Sequence, residues 1–169
     1  MTVGRLRAGR WLGASLALLI WSLGIVVAAA TAPSDAEQLD QRFARSTLQI
    51  AASDAQLHTF KIWIADDNPR RQRGLMFVKH LDPDAGMLFI YDEPQPISMW
   101  MKNTKIPLDM LFVAANGRVT RVAEHTEPES LKTIESGGDV TAVVELNAGT
   151  AARLHIKAGS QVIHPAFTP

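Results

Sequence analysis

Ser98–Asp109 reads SMWMKNTKIPLD and joins two apolar runs, Met87–Tyr91 (MLFIY) and Leu108–Ala115 (LDMLFVAA). Apolar runs of this length, bounded by turn residues, read as buried strands. The joining stretch holds a tryptophan, two methionines, two lysines, an asparagine, a proline and an aspartate. A polar turn marked by an aromatic residue, set between two core strands, is a natural place for a site in a small domain. Strand alternation puts Ile97, Met99 and Met101 on one face and Ser98, Trp100 and Lys102 on the other. Asn103–Pro107 then forms the turn, and Asp109 stands at the mouth of the second strand.

Downstream, Asn116-Gly117 predicts a type I′ hairpin between the strand over 108–114 and another over Arg118–Glu124. His125–Asp139 reads as a long polar loop ending in Ser136-Gly137-Gly138-Asp139. Thr141–Leu146 is a strand with Ala142, Val144 and Leu146 on one face and Thr141, Val143 and Glu145 on the other. Asn147 is placed to cap a short helix over Ala148–His155, Gly159 helps to end it, and Gln161–His164 supplies a last strand.

Upstream, Asp92–Pro96 turns the chain before Ile97. His58–Ala65 alternates, with Phe60, Ile62 and Ile64 on one face and Lys61 and Trp63 on the other. Asn68 as N-cap and Pro69 at the first helical position predict a helix to about His80. Gly74 inside that helix costs about 1 kcal/mol against Ala, so close packing is expected there. The order β-α-β-β-β-β-β-α-β, with short connections among the middle strands, predicts a single β-rich α+β domain. Its sheet is expected to be mostly antiparallel and curled, barrel-like, with two short helices.

That domain spans residues 57–165, behind a polar segment over 33–56. The polar segment reads as a linker that partly docks, with a turn or two of helix over Asp40–Ser46 and an edge strand over Ser46–Ala52 as its elements. Residues 1–32 carry Arg5, Arg7 and Arg10, no acid, and an apolar stretch from Trp11 to Ala30. The alanine-rich end fits a cleaved signal peptide, and the apolar length also suits a hydrophobic anchor helix. Both readings place the rest outside the cytoplasm, periplasmic or membrane-anchored, with membrane contact only through this segment if it is retained.

Outside those 32 residues the chain has 14 basic against 17 acidic residues and no basic block, which argues against a nucleic-acid partner. The absence of cysteine excludes disulfides, thiolate metal sites and a Cys nucleophile. The five histidines lack HxH, HxxH or HxxxH spacing, and no P-loop, GxGxxG or GxSxG occurs. No metal and no cofactor is expected.

The candidate site residues are Arg73, Trp100, Lys102, Asn103, Thr104, Asp109 and Glu145. If Trp100–Lys102 pairs with Asp109–Leu111, the Lys102 and Asp109 charges face each other, as a structural ion pair or as an anion contact with its orienting group. Trp100 is either core or the wall of a pocket that stacks a ring. Asn103 and Thr104 either shape the turn or contact a ligand. Glu145, in an apolar strand, calls for a partner, with Arg73 and Lys102 as candidates. The set supports three readings: a site for a small polar ligand or envelope component, a hydrolase- or lyase-type enzyme with Asp109 or Glu145 as general base and Lys102 stabilising developing charge, and a buried structural network.

RGLMFVKHL at 73–81, GMLFIYDE at 86–93, MWMKNTKIPLDMLF at 99–112, NGRV at 116–119, SGG at 136–138, VVELNAG at 143–149 and AARLHIKAGSQV at 151–162 occur in this order. Together they resemble the domain of unknown function 192 family, small exported bacterial and archaeal domains. The resemblance covers roughly His58 to His164 and implies a compact β-rich α+β fold, often behind a signal peptide. The matching motif positions are Arg73, Gly74, Trp100, Lys102, Asn103, Thr104, Pro107, Asp109 and Glu145. It carries no activity and no residue roles.

Overall fold

A computed structural model of the chain describes residues 1–2 and 32–167. The expected signal or anchor segment lies outside the described residues, and among them no helix is long and apolar enough to cross a membrane. In chain order the elements are α1 (Asp35–Asp40), β1 (Ala44–Ala51), β2 (Leu57–Ala65), α2 (Asn68–Arg73), β3 (Ala85–Met99), β4 (Leu108–Val113), β5 (Val119–Ala123), β6 (Ile134–Asn147), α3 (Thr150–Arg153), β7 (Gln161–Ile163) and a 3-10 turn, Pro165–Phe167. The seven strands form one sheet in the order β5-β4-β6-β3-β2-β1-β7. Every pair is antiparallel except β2 with β3, whose parallel pairing requires the crossover that carries α2.

The sheet curls until its ends nearly meet. Val119 N donates to Ser160 O at 2.9 Å and Val162 N to Gly117 O at 2.8 Å, which brings the β4–β5 hairpin to β7. The expected β-rich α+β class with a barrel-like sheet is what the chain forms, with three short helices in place of two.

Both faces of the sheet are buried. One, the methionine face, packs Met87, Met99, Met101 and Met110 with Trp63, Phe89, Phe112 and Val143 under Leu39, Phe43, Leu75, Val78 and Leu81. The other, the aliphatic face, packs Leu48, Phe60, Ile62, Leu88, Leu111, Val144 and Leu146 with Ala151, Ile156 and Phe167. The alternation expected for β2, β6 and the 97–101 stretch is therefore observed, and methionine fills one core as its adaptable side chain allows.

Several elements differ from expectation. Asp67 caps α2, its Oδ1 accepting from Arg70 N at 2.7 Å, and the helix stops at Gly74 instead of continuing to His80. The strand over Met87–Tyr91 and the one over 97–102 are a single 15-residue strand, because irregular register between Ile90 and Gln95 absorbs the residues expected to turn. Residues 136–139, expected in a loop, likewise lie within the 14-residue β6. β3 and β4 do not pair, because β6 lies between them. Residues 34–56 contribute α1 and β1, and β1 has a neighbour on each side where an edge strand was expected. Asn147 caps no helix. Its Nδ2 donates to Leu81 O and Asp82 O, both at 3.0 Å, and Gly149 precedes the shorter α3.

The hairpin at Asn116-Gly117 is present, but its turn is not type I′. Gly117 N donates to Ala114 O at 2.9 Å and only Gly117 is left-handed, with φ +77°. A Cβ on Gly117 would lie 2.5 Å from Val162 O, so glycine here permits both the turn and the closure of the sheet. Gly117→Ala should destabilise by about 3 kcal/mol, combining left-handed strain with the clash. Gly137→Ala, at φ +76° with its nearest atom 3.8 Å away, should show only about 1 kcal/mol of strain. Urea unfolding of both variants checks this, and equal losses would show that the closure contributes nothing.

Candidate functional site

The sheet separates the two carboxylates. On β4, Asp109 pairs in register with Leu146 and shares the aliphatic face with Leu111 and Val113. On β6, Glu145 pairs with Met87 on one side and Met110 on the other, on the methionine face.

Asp109 is fully buried and fully satisfied. Its Oδ1 accepts from His125 N and its Oδ2 from Ala151 N, each at 2.9 Å. The carboxylate thus ties the segment after β5 and the first turn of α3 to the start of β4. Thr126 continues the attachment, its N–H and hydroxyl both donating to Leu108 O, at 2.8 and 2.9 Å. The partner of Asp109 is backbone, and Lys102 is not across the ladder from it because β3 and β4 are not neighbours.

Glu145 is the opposite case. It is 4 % exposed and makes no hydrogen bond or ion pair with any described residue. Burial alone pushes its carboxyl up to about 8, so it is uncharged at neutral pH. It sits on the floor of a cavity of about 20 Å³ whose lining includes Arg73, Gly74, Phe89, Trp100, Lys102 and Thr104.

The local sequence explains the walls. Gly74 leaves α2 with φ +42°, and a Cβ there would stand 3.0 Å from Phe89 Cζ, so the helix end can rest against β3 only with glycine. Arg73 is thereby delivered to the cavity. Its Nε is buried without a hydrogen-bond partner, burial lowers its pKa, and its guanidinium lies 4.7 Å from the ring of Phe77. Phe77 is 49 % exposed and left-handed, with φ 70°, which is costly for a bulky residue. Its N–H donates to Asn103 O at 2.9 Å. Asn103 is itself left-handed (φ 58°), as asparagine tolerates, and its Nδ2 points to Met76 Sδ at 3.8 Å. Thr104 N closes the turn onto Met101 O at 3.0 Å, while Met101 N and Thr104 O bond Ser130 O and Glu129 N. The turn so fixed presents Trp100, 46 % exposed, with Lys102 Nζ 5.1 Å from its ring.

Of the residues selected from sequence, Arg73, Trp100, Lys102, Thr104 and Glu145 line one cavity, Asn103 braces its rim, and Asp109 lies on the other face. They do not form a mutually bonded network. Arg71, Phe77 and Phe89 were not selected. The sequence signal for Phe77, an aromatic just past Arg73-Gly74, is hidden when the helix is read as continuous. A larger hollow of about 770 Å³ lies between β5 and the 124–135 segment, but none of the selected polar residues lines it. No group of metal-ligating side chains occurs among the described residues.

This geometry separates structural from exposed positions. Asp109→Ala should cost about 3 kcal/mol by stranding two amides, whereas Lys102→Ala should change stability by less than about 0.5 kcal/mol. Thermal and urea melts of both variants test this, and an Asp109→Ala protein as stable as wild type would contradict it. For Glu145 the folded pKa lies above the ordinary 4.5, so the folded state keeps a proton that the unfolded state loses as pH rises. Stability should therefore fall by about 1.4 kcal/mol per pH unit between 4.5 and 8 on this account, then level off. Glu145→Gln should lose that component, so the variant gains relative to wild type across the window. A constant difference between the two proteins would refute it.

The DUF192 family, described as "Uncharacterized ACR", matches residues 48–164. Among curated proteins none matches the chain. A protein from Sinorhizobium meliloti 1021, named as a candidate transcription regulator, is 37% identical with a TM-score of 0.72, covering 73% of this chain and 96% of its own. A protein of unknown function from Novosphingobium aromaticivorans DSM 12444 is 33% identical with a TM-score of 0.69, covering 71% of this chain and 85% of its own. With its matched residues running from within β1 through β7 and including the cavity above Glu145, the chain belongs to the DUF192 family.

Proposed function

We propose that the protein is an exported domain that binds a small polar ligand or an envelope component at the mouth above Glu145. Arg73 and Lys102 act as anion contacts, Trp100 as a stacking wall, and Asn103 holds the rim in place. The observation that carries this reading is a pair of cations without acidic partners among the described residues, each lying on an exposed aromatic ring, over a buried carboxyl that no described residue hydrogen-bonds. Buried groups are left unsatisfied at a cost, and ligand-binding sites are where that cost is met. The cavity, about 20 Å³, is far below the several hundred of an enclosing pocket, so the ligand body lies outside and one small group reaches in. Export is supported by Arg5, Arg7 and Arg10 ahead of the apolar stretch from Trp11 to Ala30. A transcription role, raised by the name of the Sinorhizobium relative, gains no support from a chain with 14 basic against 17 acidic residues beyond its first 32.

One observation favours a second reading, an acid–base enzyme: a carboxyl near 8 is suited to donate a proton at neutral pH. In that reading Glu145 is the acid–base group, Lys102 stabilises developing negative charge, and Asp109 takes no part.

A thermal-shift screen of polar metabolites and envelope fragments tests the binding reading. A ligand at a hundred times its Kd stabilises by about 2.7 kcal/mol, a rise of several degrees in Tm. That rise should vanish in Lys102→Ala, whose own Tm is unchanged. Ligands that shift both proteins equally would place binding elsewhere.

A further inference from the structure

We propose that the ligand of this site is a small carboxylate, one oxygen of which enters the cavity to meet the buried Glu145 carboxyl while Arg73 and Lys102 hold its charge. This rests on the binding reading above and narrows it to a ligand class. Three observations carry it.

The first is charge. The titratable groups facing Glu145 are Arg71 and Arg73 from α2, Lys102 from the turn and Tyr91 from β3, while β4 presents Met110. Arg71 is engaged, donating to Ile90 O and Asn68 Oδ1, both at 2.6 Å, and lying 5.0 Å from the Tyr91 ring. Arg73 and Lys102 have no acidic partner among the described residues. A cationic ligand would have to pass between them, and an anion is drawn in.

The second is size. A cavity of about 20 Å³ holds roughly one water-sized atom. A carboxylate is flat behind its leading oxygen, whereas a phosphate or sulfate that leads with one oxygen carries further oxygens around its central atom and is wider behind it.

The third is hydrogen-bond polarity. An ionised Glu145 would offer only acceptors and repel an anion, but a protonated one offers an O–H donor. An O–H donor facing an anionic oxygen makes one of the stronger hydrogen bonds available to a protein. The exposed ring of Trp100 lies beside the route out of the cavity for the ligand's apolar body.

Benzoate, ionised throughout, is the probe, and calorimetric titration of the full chain at pH 6 and pH 9 is the measurement. With the Glu145 carboxyl near 8, about one molecule in eleven is protonated at pH 9, so affinity should fall about tenfold from pH 6. Glu145→Gln, which keeps an N–H donor, should bind benzoate at both pH values with no such fall. Lys102→Ala should weaken binding at both without changing Tm. Benzylammonium preferred over benzoate, or benzoate affinity that is flat or rising with pH in the wild type, would overturn the proposal. Inorganic phosphate bound through Lys102 without benzoate binding would overturn the carboxylate class and leave the binding site standing. No response of any of the three probes to Lys102→Ala would remove both. If Glu145→Gln does not fold, the wild-type pH profile together with Lys102→Ala decides.

Discussion

From Ala142 to Leu146 strand β6 is hydrogen-bonded on both sides and covered on both faces, and the arrangement of the molecule follows from that position. From Val140 to Leu146 it touches β3 on one side or β4 on the other, and its side chains alternate between two separate cores. Such a strand should be apolar throughout, because a polar side chain there loses water and gains nothing unless a partner is built for it. Glu145 breaks the rule near the end of the strand, opposite two methionines. The surrounding elements respond by leaving a gap above it. Gly74 turns α2 away, the Asn103 turn closes the far side, and cations line the rim without reaching the carboxyl.

The two carboxylates show why residue type alone cannot assign a role. Asp109 and Glu145 are both buried, both in central strands and both bracketed by apolar residues. One meets two backbone amides and becomes a tie between segments distant in sequence. The other meets only sulfur, aromatic carbon and cations held back by their own rings. Their difference lies in which face of the sheet each occupies and in what loops return to that face.

Much of this architecture is legible in the residues. Alternation correctly sorted Phe60, Ile62 and Ile64 from Trp63, and Ala142, Val144 and Leu146 from Val143 and Glu145, because burial on a pleated strand imposes a period of two. Of the polar cluster read from the residues, Arg73, Lys102, Asn103, Asp109 and Glu145, the structure brings Arg73, Lys102 and Glu145 to one cavity and puts Asp109 on the other face. Pairing was not legible. Short connections between consecutive segments suggest hairpins, but the insertion of β6 between β3 and β4 is set by long-range packing that leaves no local mark. The length of β3 was hidden for a related reason: Pro94 and Pro96 look like turn residues, and a register irregularity lets the strand carry them. The end of α2 was marked by Gly74, whose close packing was anticipated, but apolar spacing past it favoured a longer helix.

The closing strand, β7, has a role out of proportion to its three residues. It pairs with the outer side of β1, and the same short segment reaches across to Gly117 and Val119 on the hairpin. One small strand therefore covers part of two sheet margins, β1 at Gln49–Ala51 and the hairpin at Gly117–Val119, where bare amides and carbonyls are the usual template for edge-to-edge association. In a chain without cysteine no covalent bond reinforces that shield. The last segment of the sheet to be synthesised therefore meets both margins: until Gln161–Ile163 are in place, β1 at Gln49–Ala51 and the hairpin at Gly117–Val119 are open at once.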